Sequence, residues 1–252
     1  MSGFKALVLA GSRGGDDPVA TYAGVPHKAL ITLEGRTLLA RVVDSLRGAG
    51  AGTIAVMSSH PAVRALGETL GVAMLEEAAG PSLSVQAGAA HLGAPLLVTT
   101  ADHALLKSEW VRQFLTNVPP QADVAALVAD RATVEAAAPG TQRTWLKLAD
   151  GQWSGCNLFY LATPRALNVL ELWRRVEAER KRPWRMARLL GTGMLIRYAS
   201  GRLSLAEAGR RLGELAGVDA RIVTTPFGAA AIDVDKPSDL DLVRRMTANH
   251  QA

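Results

Sequence analysis

The sequence predicts an α/β fold, a single-domain three-layer sandwich whose mostly parallel sheet is covered by helices on both faces. Three features predict it. Short apolar runs alternate with amphipathic stretches of roughly ten residues, the pattern of strands joined by crossover helices. The first apolar run, Leu7–Leu9, stops at Gly11 and passes into a glycine-rich loop, as a buried strand does where the backbone turns sharply. Leu96–Thr100 is apolar enough to be a central strand. In such sheets ligands bind beyond the C-terminal strand ends, so the loops at 11–16 and 101–104 face one crevice.

The elements follow in order. After the opening loop, Ala29–Leu33 reads as a short strand ending at Glu34-Gly35. Thr37–Arg47 carries Leu38, Leu39, Val42, Val43 and Leu46 at helical spacing, and Gly48 and Gly50 stop it. Thr53–Met57 is a strand, Pro61–Leu70 a helix with proline in its first turn, and Val72–Leu75 a strand. Gly80-Pro81-Ser82 reads as a loop. Ser84–His91 is a helix of small residues able to pack close to the sheet. Beyond Leu96–Thr100 come a helix over Lys107–Asn117 and a strand over Val124–Ala129. Arg131–Gln142 reads as a variable loop or short strand. Trp145–Leu148, the Asp150-Gly151 turn and Gln152-Trp153 make a hairpin. Asn157–Leu161 is a strand and Pro164–Glu179 a long helix. Ser204 and Glu207 form a capping box opening another helix, Ile222–Thr224 is a last strand, and Pro237 begins a C-terminal helix. With no repeat, low-complexity tract or linker, residues 1–252 read as one domain with a helical, basic subregion near 164–216.

A net charge of +5 and a pI near 9.7 favour anionic ligands. Aromatic content of 5% is too sparse for a nucleic-acid stacking platform, so no nucleic-acid partner is expected. The single cysteine, Cys156, excludes an internal disulfide and a cysteine-based zinc cluster, and reads as a small packing residue. No signal peptide and no apolar run of the roughly 20 residues needed to cross a bilayer is evident, so the expected location is the cytoplasm.

The glycine-rich loop lacks the Gly-Lys-Ser/Thr of a Walker loop and the G-x-G-x-x-G of a dinucleotide site. Its backbone can still turn N–H groups toward an anion, and Arg13 and Lys28 bring two cations nearby; a plain flexible turn is the competing reading. Asp102 follows the central strand, and a carboxylate there is costly unless it faces the crevice or caps the next helix. Asp233 and Asp235 lie between a short strand and the Pro237 helix, which either could cap. Two separate carboxylate sites and a glycine loop suit Mg²⁺ bound to nucleotide phosphates. His103 is read as supporting that site, and His27 as loop surface.

The ordered set Leu7-Val-Leu-Ala-Gly-Ser-Arg-Gly, Pro26-His-Lys28-Ala-Leu, Gly35-Arg-Thr-Leu-Leu, Gly80-Pro-Ser-Leu-Ser, Thr99-Thr-Ala-Asp102-His-Ala-Leu-Leu, Gly155-Cys-Asn157-Leu and Ile232-Asp-Val-Asp235-Lys-Pro-Ser-Asp-Leu resembles the MobA-like NTP transferases, cytidylyl- and guanylyl-type nucleotidyltransferases of Rossmann-like, GT-A-type fold. The resemblance implies that Ala10, Gly11, Ser12 and Gly14 wrap the nucleotide phosphates, with Arg13 and Lys28 offsetting their charge. It implies Gly80, Pro81, Ser82 and Ser84 near base and ribose, Asn157 near the acceptor, and Mg²⁺ on Asp102 together with Asp233 or Asp235. The family loop is compact and reads G-x-G-x-R-M; here Gly14–Pro18 and Val19–Val25 lengthen it and add Asp16 and Asp17.

The implied reaction moves an NMP from an NTP, CTP or GTP, to a phosphorylated small-molecule or lipid-linked acceptor with release of pyrophosphate. The alternatives are a GT-A-type glycosyltransferase using a nucleotide sugar and a non-catalytic nucleotide-binding protein. Residues 174–211 interleave Arg174, Arg175, Arg180, Lys181, Arg182, Arg185, Arg188 and Arg197 with Trp173, Trp184 and leucines. They read either as a solvated basic face over a packed apolar one or as a peripheral contact with an anionic membrane or lipid-linked acceptor. The oligomeric state is left open.

Overall fold

A computed structural model describes residues 3–11, 17–179 and 191–248. Its strands are β1 (Phe4–Leu9), a separate small hairpin of β2 (Thr32–Leu33) and β3 (Arg36–Thr37), then β4 (Ala51–Met57), β5 (Ala73–Leu75), β6 (Leu96–Thr100), β7 (Val124–Asp130), β8 (Leu146–Leu148), β9 (Gly151–Leu161) and β10 (Ala220–Thr224). Eight of them form one sheet in the order β10-β7-β9-β6-β1-β4-β5, with β8 paired beside β9. Within this sheet β9 runs antiparallel to β6, β7 and β8 and the other pairings are parallel. The helices are α1 (Pro18–Ala23), α2 (Leu38–Gly48), α3 (Pro61–Thr69), α4 (Pro81–Leu92), α5 (Ser108–Asn117), α6 (Arg131–Ala137), α7 (Leu167–Glu179), α8 (Thr192–Ala199), α9 (Leu205–Ala216) and α10 (Pro237–Ala248). The fold is the expected mostly parallel α/β sandwich, with the helical insertion between β9 and β10.

Alternation along β1 makes the three layers. Ala6 and Val8 are buried against Leu39, Val42 and Val43 of α2, Trp110 and Phe114 of α5 and Leu240 and Val243 of α10. Leu7, between them, is buried on the opposite face with Val85 and Ala89 of α4 and Leu170 of α7. α4 packs as closely as its small residues foretell: a Cβ built on Gly88 would lie 2.4 Å from a Leu7 methyl.

Local structure departs from the sequence reading at five places. Val19–Val25, read as an extension of the glycine loop, contains α1: the Asp17 carboxylate accepts from the amides of Val19 and Ala20, and Gly24 closes the helix at φ +67°. Ala29–Leu33 is a 3₁₀ turn over Lys28–Leu30 followed by only two strand residues. The loop read at Gly80–Ser82 is the start of α4, with Gly80 at the N-cap and Pro81 in the first turn, where its missing N–H has no helical partner to lose. Arg131–Ala137 is a helix because Asp130 caps it, accepting from the Thr133 amide at 3.0 Å, and Val134 anchors it in the core.

The fifth departure matters most. The hairpin arm at 152–153 and the strand at 157–161 are one strand, β9, interrupted by a bulge. Ala126 faces Phe159 while Val128 faces Gly155, so a single residue of β7 opposes three of β9. Asn157 absorbs the excess in the left-handed region, φ 49°, where asparagine is among the more tolerated residues. Bulges of this kind re-aim a side chain.

Residues 228–231 form a turn seated on α6 and lead directly into Ile232–Asp235. Gly228 is required there by close approach, since a Cβ would fall 2.0 Å from the Thr133 carbonyl oxygen. Gly228→Ala is expected to destabilise the chain by about 1–3 kcal/mol through forced backbone displacement; urea unfolding of the variant measures it.

Candidate active site

Parallel pairing brings the C-terminal ends of four strands into line. Leu9 lies opposite both Met57 and Thr100, and Met57 lies opposite Leu75. Two more main-chain bonds extend this edge, from Ala10 N–H to the Met57 carbonyl (3.0 Å) and from Ala101 N–H to the Leu9 carbonyl (2.9 Å). The loops carrying Gly11, Asp102 and Gly80–Ser84 therefore leave the sheet at the same end.

Lys28 reaches this edge from a 3₁₀ turn. The turn is capped by His27, whose Nδ1 accepts from the Ala29 amide at 3.1 Å. His27 is not loop surface as its position beside Lys28 suggested: it is 4% exposed and packs on His60 with ring centroids 5.2 Å apart. Burial, with the charges of His60 and Lys28, holds its pKa below the ordinary value. A buried cap of this kind fixes the direction in which Lys28 leaves the turn.

The Lys28 ammonium bonds to Asp102 Oδ2 and lies 3.4 Å from Asp235 Oδ1. Burial opposes its charge, but Asp102 outweighs burial and the pKa is raised. Asp102 is 6% exposed, and its second oxygen, Oδ1, is buried without a hydrogen-bond partner among the described residues. It does not cap the following helix, whose N-cap position is Lys107. Its main-chain carbonyl accepts from Val234 N–H at 3.1 Å, which stitches residues 233–235 beside it. Asp235 leaves 54% of its side-chain surface open; local desolvation and the neighbouring Asp233 and Asp102 carboxylates still push its pKa above the ordinary value.

Asp233 has a different environment. One oxygen accepts from the Arg143 guanidinium and the other from Asn157 Nδ2 at 2.6 Å. Burial disfavours its charge, but Arg143 and Asn157 prevail and hold the pKa below the usual carboxylate range. Neither Asp233 nor Asp235 is the carboxylate that serves the start of α10. That carboxylate is Asp239, accepting from the amides of Lys236 (2.9 Å) and Asp235 (3.2 Å).

Mg²⁺ calls for oxygen ligands and keeps several positions for phosphate or water. Asp102, with one orphaned buried oxygen, and Asp235, open to solvent and facing the same point, fit such an ion. Both oxygens of Asp233 are already engaged. Among the described residues no three His, Cys, Asp or Glu side chains gather into a closed metal cage. His103 is fully buried, and burial pushes its pKa down to about 4, leaving a neutral imidazole behind Asp102. Cys156 is buried and its thiol pushed up to about 12 by burial, as befits a packing residue.

Gly11 is exposed, and a Cβ on it would fall 2.1 Å from Glu77 Oε2, so a carboxylate borders the loop. Ser12, Arg13 and Gly14 lie outside the described residues. Gly80, Pro81, Ser82 and Ser84 form the first turn of α4 beyond β5. There Ser84 Oγ accepts from the Ala78 amide at 2.9 Å, tying the loop to the helix.

Arg143 is the residue that sequence reasoning missed. It sits in an irregular stretch, Pro139–Thr144, that carries no periodicity, and its importance rests on a contact 90 positions away. Two surface clefts of about 340 and 560 Å³ lie elsewhere, along β10 and α9. Their arginines are engaged locally, Arg210 by Glu214, Arg221 by Asp219 and Arg165 by the Gly217 carbonyl. Of the basic stretch at 174–211, Arg174 and Arg175 pair with Glu171, Arg197 with Glu207 and Arg211 with Glu214, all at the surface; Arg180, Lys181, Arg182, Trp184, Arg185 and Arg188 lie outside the described residues. No helix among the described residues is long and apolar enough to cross a membrane.

A family model described as the MobA-like NTP transferase domain matches residues 6–186. A structure from Thermus thermophilus described as a hypothetical transferase is 33% identical, with a TM-score of 0.81, covering 94% of this chain and 99% of that one. A CMP:2-keto-3-deoxy-manno-octonic acid synthetase complexed with CTP shares the fold at 16% identity and TM-score 0.59, covering 98% and 99% of the two chains. The CTP:phosphocholine cytidylyltransferase of Streptococcus pneumoniae shares it at 12% identity and TM-score 0.56, covering 96% and 98%. Among curated proteins none matches.

Proposed function

The chain belongs to the MobA-like NTP transferase family and is a nucleotidyltransferase, and from that premise we propose that it transfers an NMP from CTP or GTP to a phosphorylated acceptor, releasing pyrophosphate. The observation that supports the reading is the convergence of Lys28, Asp102 and Asp235 at the C-terminal strand edge. Two fold relatives are described with CTP, which makes CTP the first nucleotide to test. Membership of the family sets aside the glycosyltransferase and non-catalytic alternatives.

An acceptor phosphate oxygen attacks the α-phosphorus in line; the bond from that phosphorus to the bridging oxygen breaks, and pyrophosphate leaves with the electron pair. The acceptor oxygen is already anionic near neutral pH, so no general base is obligatory. Positioning and charge stabilisation carry the catalysis. Lys28, with Arg13 and the amides of Ala10–Gly14, would hold the phosphates, and the first turn of α4 would border the base and ribose. Mg²⁺ on Asp102 and Asp235 would supply positive charge against the phosphate oxygens. Asp233, which the sequence offered as the alternative ligand, would instead hold Arg143 and Asn157 toward an anionic acceptor. The surface ion pairs of Arg174, Arg175, Arg197 and Arg211 favour a solvated face over a membrane-docking one for 174–211.

A thermal-shift screen of the four NTPs with Mg²⁺ tests the reading. At a ligand concentration of 100 Kd the stabilisation is about 2.7 kcal/mol, or a rise in Tm of roughly 5–10 °C for a chain of this size. Stabilisation by CTP or GTP is expected; indifference to all four overturns it. Lys28→Ala should weaken binding of the stabilising NTP by at least about tenfold, read by calorimetric titration, and an unchanged affinity would remove Lys28 from the phosphate site.

A further inference from the structure

We infer that Lys28 is the resident counter-ion of the divalent cation site, that the ion enters only as the ammonium leaves Asp102 and Asp235, and that the nucleotide phosphates favour this exchange by receiving the ammonium. The inference rests on the nucleotidyltransferase reading and adds an exchange that couples metal to nucleotide. It is carried by a coincidence of position. The two carboxylates best suited to Mg²⁺ are the two that the Lys28 ammonium touches, at Asp102 Oδ2 and 3.4 Å from Asp235 Oδ1. Asp102 is 6% exposed and Lys28 is held on a turn whose cap, His27, is buried, so this is a built pair and not a chance surface contact.

A divalent ion between these carboxylates would lie within a few ångströms of the ammonium, where like charges repel strongly because little water intervenes. Metal alone must therefore displace Lys28 from a favourable pair with no anion to receive it. An NTP changes the balance: its phosphates accept the ammonium and also bring oxygens to the metal. Asp233 cannot substitute as ligand without giving up Arg143 and Asn157. Metal and nucleotide thus bind with reciprocal positive coupling that runs through one side chain.

Removing the lysine has opposite consequences for the two ligands. Lys28→Ala loses affinity for the anionic nucleotide but gains affinity for the cation. With Mn²⁺ as the probe and no nucleotide present, electron paramagnetic resonance titration should show Lys28→Ala binding at least about tenfold tighter than the unaltered chain, and Lys28→Met likewise. Adding Asp235→Asn to Lys28→Ala should return the affinity to the starting level. Equal or weaker Mn²⁺ binding by both single variants overturns the inference, as does tight binding that survives Asp235→Asn.

Should neither variant fold by circular dichroism, the unaltered chain gives the answer through acylation of Lys28, quantified by mass spectrometry against exposed Lys236. Saturating Mn²⁺ should raise Lys28 labelling at least about threefold as the side chain leaves the two carboxylates and becomes accessible; unchanged labelling overturns the exchange. These titrations contain no nucleotide, so a failed NTP screen and a failed lysine exchange remain separate results.

Discussion

Asp102→Asn is expected to lower turnover by about 10²–10³ while leaving the fold intact. The substitution keeps the shape of a side chain that is 6% exposed and removes its charge. In the ground state the loss is a single carboxylate facing Lys28. On the proposed mechanism it would, in the transition state, be the residue that holds the metal and sets the ammonium against the phosphates, and groups stabilising developing charge in a water-excluded site contribute a few kcal/mol each. The effect should fall on kcat, measured as pyrophosphate release at saturating Mg²⁺ and NTP, with circular dichroism unchanged. A normal kcat under those conditions removes Asp102 from the mechanism. Asp235→Asn should cost less at saturating Mg²⁺, because Asp235 is over half exposed and the weaker metal affinity is offset by the metal concentration.

The sheet was legible because its signals are local and repeated. Leu7 and its neighbours alternate between two cores, the glycine stops fall where helices end, and Ser204 with Glu207 makes the capping box that the spacing foretold. That Lys28, Asp102 and the Asp233–Asp235 segment come together was legible for another reason: each sits just beyond an apolar or turn-forming segment, where an ionised side chain has to face the crevice. The elements misread were governed by single side chains. Asp17 and Asp130 turn apparent loops into helices, the first by accepting from two amides and the second from one amide and the Thr133 hydroxyl, and nothing in hydrophobic periodicity registers a cap.

Arg143 and the division of labour between Asp233 and Asp235 were not legible at all. Two aspartates separated by one residue look equivalent in sequence. They differ because β9 spends extra residues at Asn157, turning an amide toward one of them, and because an arginine from an irregular segment closes on the same carboxylate. That specificity lives in a bulge register and in chain separations of 76 and 90 residues, which no short window samples. It also explains why burial does not neutralise Asp233: two donors, one of them charged, offset the desolvation.

Arg143→Ala should therefore destabilise the chain by about 3–5 kcal/mol at pH 7, since it strands a buried carboxylate. The side chains of Arg143 and Asp233 are 14% and 9% exposed, so solvent screens their interaction little. The sign of the pH dependence follows from the direction of the shift. The folded-state pKa of Asp233 is depressed below its ordinary value of 3.8. The pair's contribution is therefore fully present above that value and is lost as pH falls through the depressed one. Without Arg143, burial dominates and the pKa of Asp233 moves the other way, so protonation relieves the variant as acid is added. The stability gap between the two chains should be widest near neutrality, begin to shrink as the pH falls through the raised pKa of the variant, and go on shrinking below about pH 4, measured by urea unfolding across that range. The double variant Arg143→Ala, Asp233→Asn should recover much of the loss, because it removes the stranded charge along with its partner. A gap of the same size at every pH, or no recovery in the double variant, would show that Arg143 acts through packing and that Asp233 is charged for some other reason.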